Sequence, residues 1–198
     1  DPYLVGFLLG DGGLSQNTVR FSTVDLELVD KIDGIIGENH YIKKLCKTGT
    51  CDYIIGGLNR ENKIKLSLEK YNLMFCRSYE KFIPNEYKYN SIDVRKEIIR
   101  GLMDSDGTVC KKSGQAIFCT TSEQLSKDFC EITQSLGYTP RVRTVSKYYK
   151  YKGKRKAGRL AYQIAVGCTN PSDLFSLLRK KNLCKVRTKY HPKRLIES

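Results

Sequence analysis

The sequence predicts an α+β fold built from two copies of one module. Three observations predict it. A nine-residue phrase occurs twice, as Leu4 to Gly12 (LVGFLLGDG) and Ile99 to Gly107 (IRGLMDSDG). The same order of helix-like and strand-like stretches follows each copy. The charge is lopsided: the 198 residues carry a net +14, and between Ile132 and Ser172 there are nine Lys and Arg but no Asp or Glu.

The elements follow in order. Each phrase is an apolar helix, the first capped by Asp1-Pro2 and the second by Ser91 or Asp93. Small residues four apart, Gly6 and Gly10 in one and Gly101 and Ser105 in the other, let two helix backbones pack unusually close. A strand-like run comes next, ending at Thr23 or Thr120, and then an amphipathic helix from about Asp25 to Ile36 or Ser122 to Leu136. Gly37 and Gly137 stop those helices. Two further strands follow, Tyr41 to Lys47 and Cys51 to Gly56 in the first copy. Their second-copy counterparts are Arg141 to Tyr151 and Arg159 to Val166, joined by a tip from Gly153 to Gly158. A closing helix ends each module, and Lys81-Phe82-Ile83-Pro84 recurs as Lys189-Tyr190-His191-Pro192. The expected architecture is two pseudo-symmetric αββαββα modules, residues 1–90 with a linker and residues 91–198 with a tail. Their helices cover one face of each sheet and leave a basic face open.

Bulk properties narrow the function. No apolar run approaches the roughly 20 residues that span a bilayer, and no signal-peptide pattern is present. The start without methionine reads as a piece of something longer. Basic residues alternating with aromatic and β-branched ones attract a polyanion to one strand face. Eight cysteines form no CxxC pair, and His40 and His191 stand apart from them, so most read as reduced core thiols rather than zinc ligands or disulfides.

The phrase ends carry the chemistry. Asp11 and Asp106 each sit at a helix C-terminus, where an acid is disfavoured by about 0.3–1 kcal/mol, and the glycine after each suits the left-handed turn that ends a helix. Two such acids brought together repel by about 4 kcal/mol at 4 Å and an effective dielectric near 20. A divalent cation relieves that repulsion, and Mg²⁺ favours one or two carboxylates completed by water and phosphate oxygens. Asp104 is replaced by Leu9 in the first copy, so it reads as structural or modulating.

These residues resemble the paired LAGLIDADG motifs of homing endonucleases, in the two-motif, single-chain form, over nearly the whole chain. Lys81-Phe82-Ile83-Pro84, 25 residues before Asp106, is most similar to endonuclease domains embedded in inteins. Arg194 to Ser198 resembles the point where such a domain rejoins a splicing domain. The resemblance implies that the motif helices meet at Gly6, Gly10, Gly101 and Ser105. It also implies that Asp11 and Asp106, with the carbonyls of Gly10 and Ser105, bind Mg²⁺, for which Mn²⁺ can substitute. Lys81 and Lys189 would position water or stabilise the reacting phosphate. The two sheets would form a saddle over a double-stranded DNA site, cut across the minor groove to leave 3′ overhangs. A monomer acting inside the cell on its target DNA, excised from an intein or host protein and not splicing itself, completes the expectation.

Candidate DNA contacts are Arg20, Lys43, Lys44, Lys47, Arg141, Arg143, Lys147, Lys150 and Lys152, with Lys154, Arg155, Lys156 and Arg159 at the hairpin tip. Three alternatives stay open: a cleavage-inactive DNA-binding module, an RNA-splicing maturase of the same family, and a basic structural RNA-binding protein.

Overall fold

The computed structural model describes residues 1–45, 51–58, 61–151 and 153–186, with backbone only for 147, 149–151, 154 and 155. In the first half the order is α1 (Pro2–Asp11), β1 (Gly12–Gly13), β2 (Val19–Ser22), α2 (Leu26–Ile36), β3 (His40–Lys44), β4 (Asp52–Gly57) and α3 (Lys63–Lys70). A short α4 (Asn85–Lys88) lies in the connection. The second half runs α5 (Ile92–Ser105), β5 (Gly107–Val109), β6 (Ala116–Thr120), α6 (Glu123–Ser135), β7 (Thr139–Tyr151), β8 (Lys154–Gly167) and α7 (Leu178–Lys181). Each half holds one antiparallel four-stranded sheet, ordered β1-β2-β4-β3 and β5-β6-β8-β7. The duplication is therefore a duplication of topology.

The motif helices form the seam. The Asp1 carboxylate accepts the Leu4 N–H at 2.9 Å, and the Ser91 hydroxyl, not Asp93, caps α5 through Val94. Every residue of α1 from Tyr3 to Leu9 is buried, because α1 packs on α5 as well as on its own sheet. A Cβ on Gly6 would stand 2.2 Å from the Ile98 carbonyl oxygen, and one on Gly101 would stand 2.2 Å from the Tyr3 oxygen. Backbone meets backbone at both places, so neither position accepts a side chain. Arg100 points away from the seam and donates to the Asp173 carbonyl at 3.1 Å.

Both sheets are two-faced. In β2 and β4, Val19, Phe21, Tyr53 and Ile55 are buried under the helices, and Phe21 stacks on Tyr53 at 5.0 Å. In β6 and β8, Ala116, Phe118, Ile164 and Val166 do the same, with Phe118 stacked on Phe129 of α6 at 4.4 Å. The residues between them face outward, as a period of two requires.

Four expectations change. The predicted tip from Gly153 to Gly158 shrinks, since β8 begins at Lys154 and Gly153 alone takes the positive φ of the turn, +76°. The closing helix of the second half is one turn long, preceded by a 3₁₀ turn at Pro171–Leu174. Gly12 is extended (φ −71°, ψ 129°) rather than left-handed. A Cβ there would lie 2.1 Å from the Leu8 carbonyl oxygen, and one on Gly107 would lie 2.3 Å from that of Met103. The glycine is needed because the chain folds back onto its own helix end. Of the cysteines, Cys168 alone is fully buried among the described residues, the others being half-exposed free thiols; Cys46 lies outside those residues.

Candidate active site at the helix seam

The two phrase ends meet where α1 and α5 stop. A Cβ on Gly10 would fall 1.9 Å from the Ser105 hydroxyl oxygen, so the residues preceding the two acids are in contact. Asp11 is half-buried and Asp106 exposed. Burial, and then the Asp106 charge, raise the Asp11 carboxyl to about 6, with Lys180 and Lys81 pulling the other way. The two carboxylates therefore sense each other across the seam.

Each acid sits beside a buried lysine. Lys81 lies in the connection between the halves and is 4% exposed. Its ammonium donates to the carbonyls of Leu8 (3.2 Å), Gly10 (2.9 Å) and Gly12 (2.8 Å). Lys180, on α7 and 5% exposed, donates to Met103 (2.8 Å), Asp104 (2.6 Å) and Gly107 (2.7 Å), with Ser105 at 3.3 Å. Leu8, Gly10 and Gly12 correspond to Met103, Ser105 and Gly107 by the same 95-residue offset that relates the acids. Each ammonium thus satisfies the free carbonyls of a helix C-terminus, where a cation is favoured. Burial lowers both lysines to about 8, against the acids that raise them.

Lys180 occupies the cage at the second helix end, while Lys189, the lysine of the tail motif, lies outside the described residues. Reading the motif Lys-aromatic-x-Pro as the repeat unit missed it. Counting from the acids finds it: Lys81 is 70 residues past Asp11, Lys180 is 74 past Asp106, and Lys189 is 83 past.

The connection between the halves is held by the second half. The Ser122 hydroxyl donates to the Lys81 carbonyl at 2.5 Å, and buried Asp128 accepts from the Ile83 N–H at 2.8 Å and from Lys88 at 3.0 Å. Asp128 also lines a hollow of about 460 Å³ between the end of α3 and the connection. Neither Asp11 nor Asp106 lines that hollow, and its Asp128 carboxylate is already bonded. A cleft of about 280 Å³ lies beside Asp11 itself, walled by Gly13, Gln16, Arg20, Ser22 and Asp52.

Strand register sorts the basic candidates. Arg20, Ile54 and Lys43 stand in one row across the first sheet, on the face opposite the helices. Lys44 is in register with buried Tyr53 and so falls on the other parity. In the second sheet Arg141 pairs with Ala165 and Arg143 with Gln163, both on the open face. The Arg143 guanidinium is fixed on the Gln163 carbonyl at 2.8 and 2.5 Å, which adds Gln163 to the polar surface. Lys156 and Arg159 are exposed on β8, and Arg159 lies 3.6 Å over the Tyr79 ring. Lys147, Lys150, Lys154 and Arg155 belong to the hairpin by backbone, while Lys47 and Lys152 lie outside the described residues.

The donor set suits a hard divalent cation: two carboxylates (Asp11, Asp106) and two carbonyls (Gly10, Ser105), with no imidazole or thiolate. So few protein ligands leave room for water and phosphate oxygens, as Mg²⁺ prefers. No group of three or more His, Cys, Asp or Glu that could hold a metal ion gathers among the described residues. No helix among them is long and apolar enough to cross a membrane.

A duplicated α+β chain with paired acids at a helix seam and an open basic face defines a protein suited to phosphodiester chemistry on nucleic acid. The family model of homing endonucleases matches residues 82–192, and the chain belongs to that family. The two phrases are its LAGLIDADG motifs. Among solved structures, the homing endonuclease I-DmoI in complex with DNA and Ca is similar at a TM-score of 0.57 and 11% identity, covering 92% of this chain and 95% of that one. Mesophilic variants of I-DmoI give 0.55 at 12% identity, over 87% and 90%. Curated relatives include the replicative DNA helicase DnaB of Mycobacterium intracellulare, 35% identical over 179 residues, and that of Synechocystis sp., 29% identical over 187. These alignments take in 90% and 86% of this chain but only 25% and 20% of the relatives.

Proposed function

We propose that the protein makes site-specific double-strand breaks in DNA by metal-assisted phosphodiester hydrolysis, each acid-bearing helix end cutting one strand. The observation that carries this reading is the pair of carboxylates at a backbone-contact seam, each beside a lysine caged by helix-end carbonyls. Asp11 and Asp106, with the Gly10 and Ser105 carbonyls, would hold the divalent cations. Mg²⁺ fits the donor set and Mn²⁺ is the natural substitute; Ca, Mn and Mg accompany the DNA-bound I-DmoI structures. A bound cation supplies Lewis acidity, lowering the pKa of the attacking water and neutralising the leaving oxygen.

The chain's own residues do the rest. Lys81 and Lys180 hold three donors each on fixed carbonyls, so they act as stationary positive charges that orient the acid-bearing turns and favour the phosphate. Arg20, Lys43, Arg141, Arg143 and Arg159 bind the duplex along the open faces, some at phosphates and some at base edges. The cut leaves 3′ overhangs. The working unit is a monomer of two subdomains, residues 1–90 and 91–198. The match to about a quarter of two helicase chains supports an origin as an intein-borne insertion in a host of that kind.

Selection of cleaved sites from a randomised duplex library, with and without Mg²⁺, gives the target. On that target, Asp11→Asn and Asp106→Asn should each abolish double-strand cleavage and leave binding largely intact. Normal cutting by either variant in Mg²⁺ would sink the assignment. Mg²⁺-independent binding with no preferred duplex site would instead favour a structural RNA-binding role.

A further inference from the structure

The two lysine cages are alike, but the devices that carry each lysine to its cage are not. Lys81 is set by Ser122 and by Asp128 through Ile83. Lys180 is set in part from within its own motif. Asp104, 1% exposed, accepts the Ser176 N–H with both carboxylate oxygens at 3.0 Å and the Leu177 N–H at 3.3 Å. Ser176 and Leu177 lead directly into α7, and three residues on Lys180 returns to the Asp104 carbonyl at 2.6 Å. The carboxylate anchors the start of this one-turn helix, and the carbonyl of the same residue receives its lysine. A single helical turn has almost no stability of its own, so its placement depends on that anchor, together with the Glu27 carboxylate that accepts the Leu178 N–H at 3.2 Å and the Asp25–Arg179 ion pair.

The Tyr3 hydroxyl donates to the same carboxylate at 2.8 Å, from the other half of the molecule. In the first motif the equivalent residue is Leu9, 1% exposed and without polar function. The dependence therefore exists at one site only.

We propose that Asp104 is a positioning residue for Lys180 and not for Lys81, holding α7 so that Lys180 stays caged at the Asp106 turn. This rests on the endonuclease reading above. Asp104 does not touch the reacting phosphate. Replacing it orphans one buried and one half-buried N–H group and loosens α7, while the Lys81 site keeps its own supports. The enzyme then cuts its two strands at unequal rates and accumulates nicked duplex.

The test measures strand-specific cleavage on the selected target, each strand labelled, in Mg²⁺. The first site serves as an internal reference, because loss of folded protein lowers both rates by one factor and leaves their ratio unchanged. Asp104→Leu, the first motif's own residue, should slow one strand by on the order of tenfold relative to the other, as loss of a group that orients a functional residue does. Lys180→Met should shift the ratio in the same direction. Asp104→Asn keeps an acceptor and should shift it less, and it remains informative if the leucine variant does not fold. Tyr3→Phe removes only the cross-seam bond and should leave the ratio as it is. Equal slowing of both strands in the Asp104 variants, or a shift opposite to that of Lys180→Met, would overturn the proposal. Wild-type protein that cuts neither strand would overturn the endonuclease reading and this inference with it.

Discussion

Removing the charge at Asp11 should make the metal-free protein more stable while destroying its activity. The Asp11 carboxyl sits at about 6 rather than 3.8, chiefly through burial and then through Asp106. A folded-state value above the unfolded one means the native protein holds that proton more tightly. The penalty is therefore absent below about pH 3.8, grows as pH rises through the window to about 6, and is full above it. Two units correspond to about 3 kcal/mol. Because Asp11 is only half-buried, solvent screening reduces this to an expected 1–2 kcal/mol or so. For a chain of this size that is a rise in Tm of about 2–8 °C. Thermal unfolding of wild type and Asp11→Asn in EDTA should show this gap at pH 7.5 and little gap near pH 4. Saturating Mg²⁺ should narrow it by stabilising the wild type. An asparagine variant that melts at or below the wild type at pH 7.5, or a gap of equal size at both pH values, would refute the account of a repelled acid pair.

Other outcomes follow from the same geometry. Gly101→Ala puts a methyl 2.2 Å from the Tyr3 carbonyl oxygen and 2.6 Å from the Phe7 nitrogen, so urea unfolding should register a loss of about 3 kcal/mol. Lys81→Met leaves three helix-end carbonyls without their donor; stability should fall by about 1–3 kcal/mol, with cleavage lost at saturating DNA. Lys43→Ala should weaken duplex binding and flatten its salt dependence by about one unit of slope, whereas Lys44→Ala, on the other strand parity, should change the slope by less. Titrating target affinity against salt separates the two.

Much of the architecture was legible because it is written in local signals. Asp1-Pro2, Ser91 and Ser122 mark helix starts, and Gly37 and Gly137, at φ +67° and +84°, mark helix ends. Alternation in Val19–Ser22 and Ala116–Thr120 separates a helix-covered face from an open one. The role of the glycine after each acid was not legible. An Asp-Gly pair is compatible with a left-handed turn, and only the return of the chain onto Leu8 and Met103 shows that close approach excludes the side chain. The short α7 was hard to place for a related reason, since a one-turn helix is held by distant partners, Asp104, the α5 carbonyls, Glu27 and Asp25, that no local signal announces.

By itself the sequence determined the duplication, the two carboxylates at matching positions and the sign of the surface that faces a partner. Those properties depend on residue type and on short-range periodicity, which a linear text preserves. Tertiary structure decided which lysine the carbonyls of the second motif's helix end enclose, which of two adjacent lysines shares the open face, and which amides the Asp104 carboxylate accepts. Each of those depends on carbonyls, amides and strand rows contributed by segments 70 or more residues apart or by a register between strands. Lys180 reaches its cage because α7 is held against the end of α5, and no spacing within the tail motif encodes that contact.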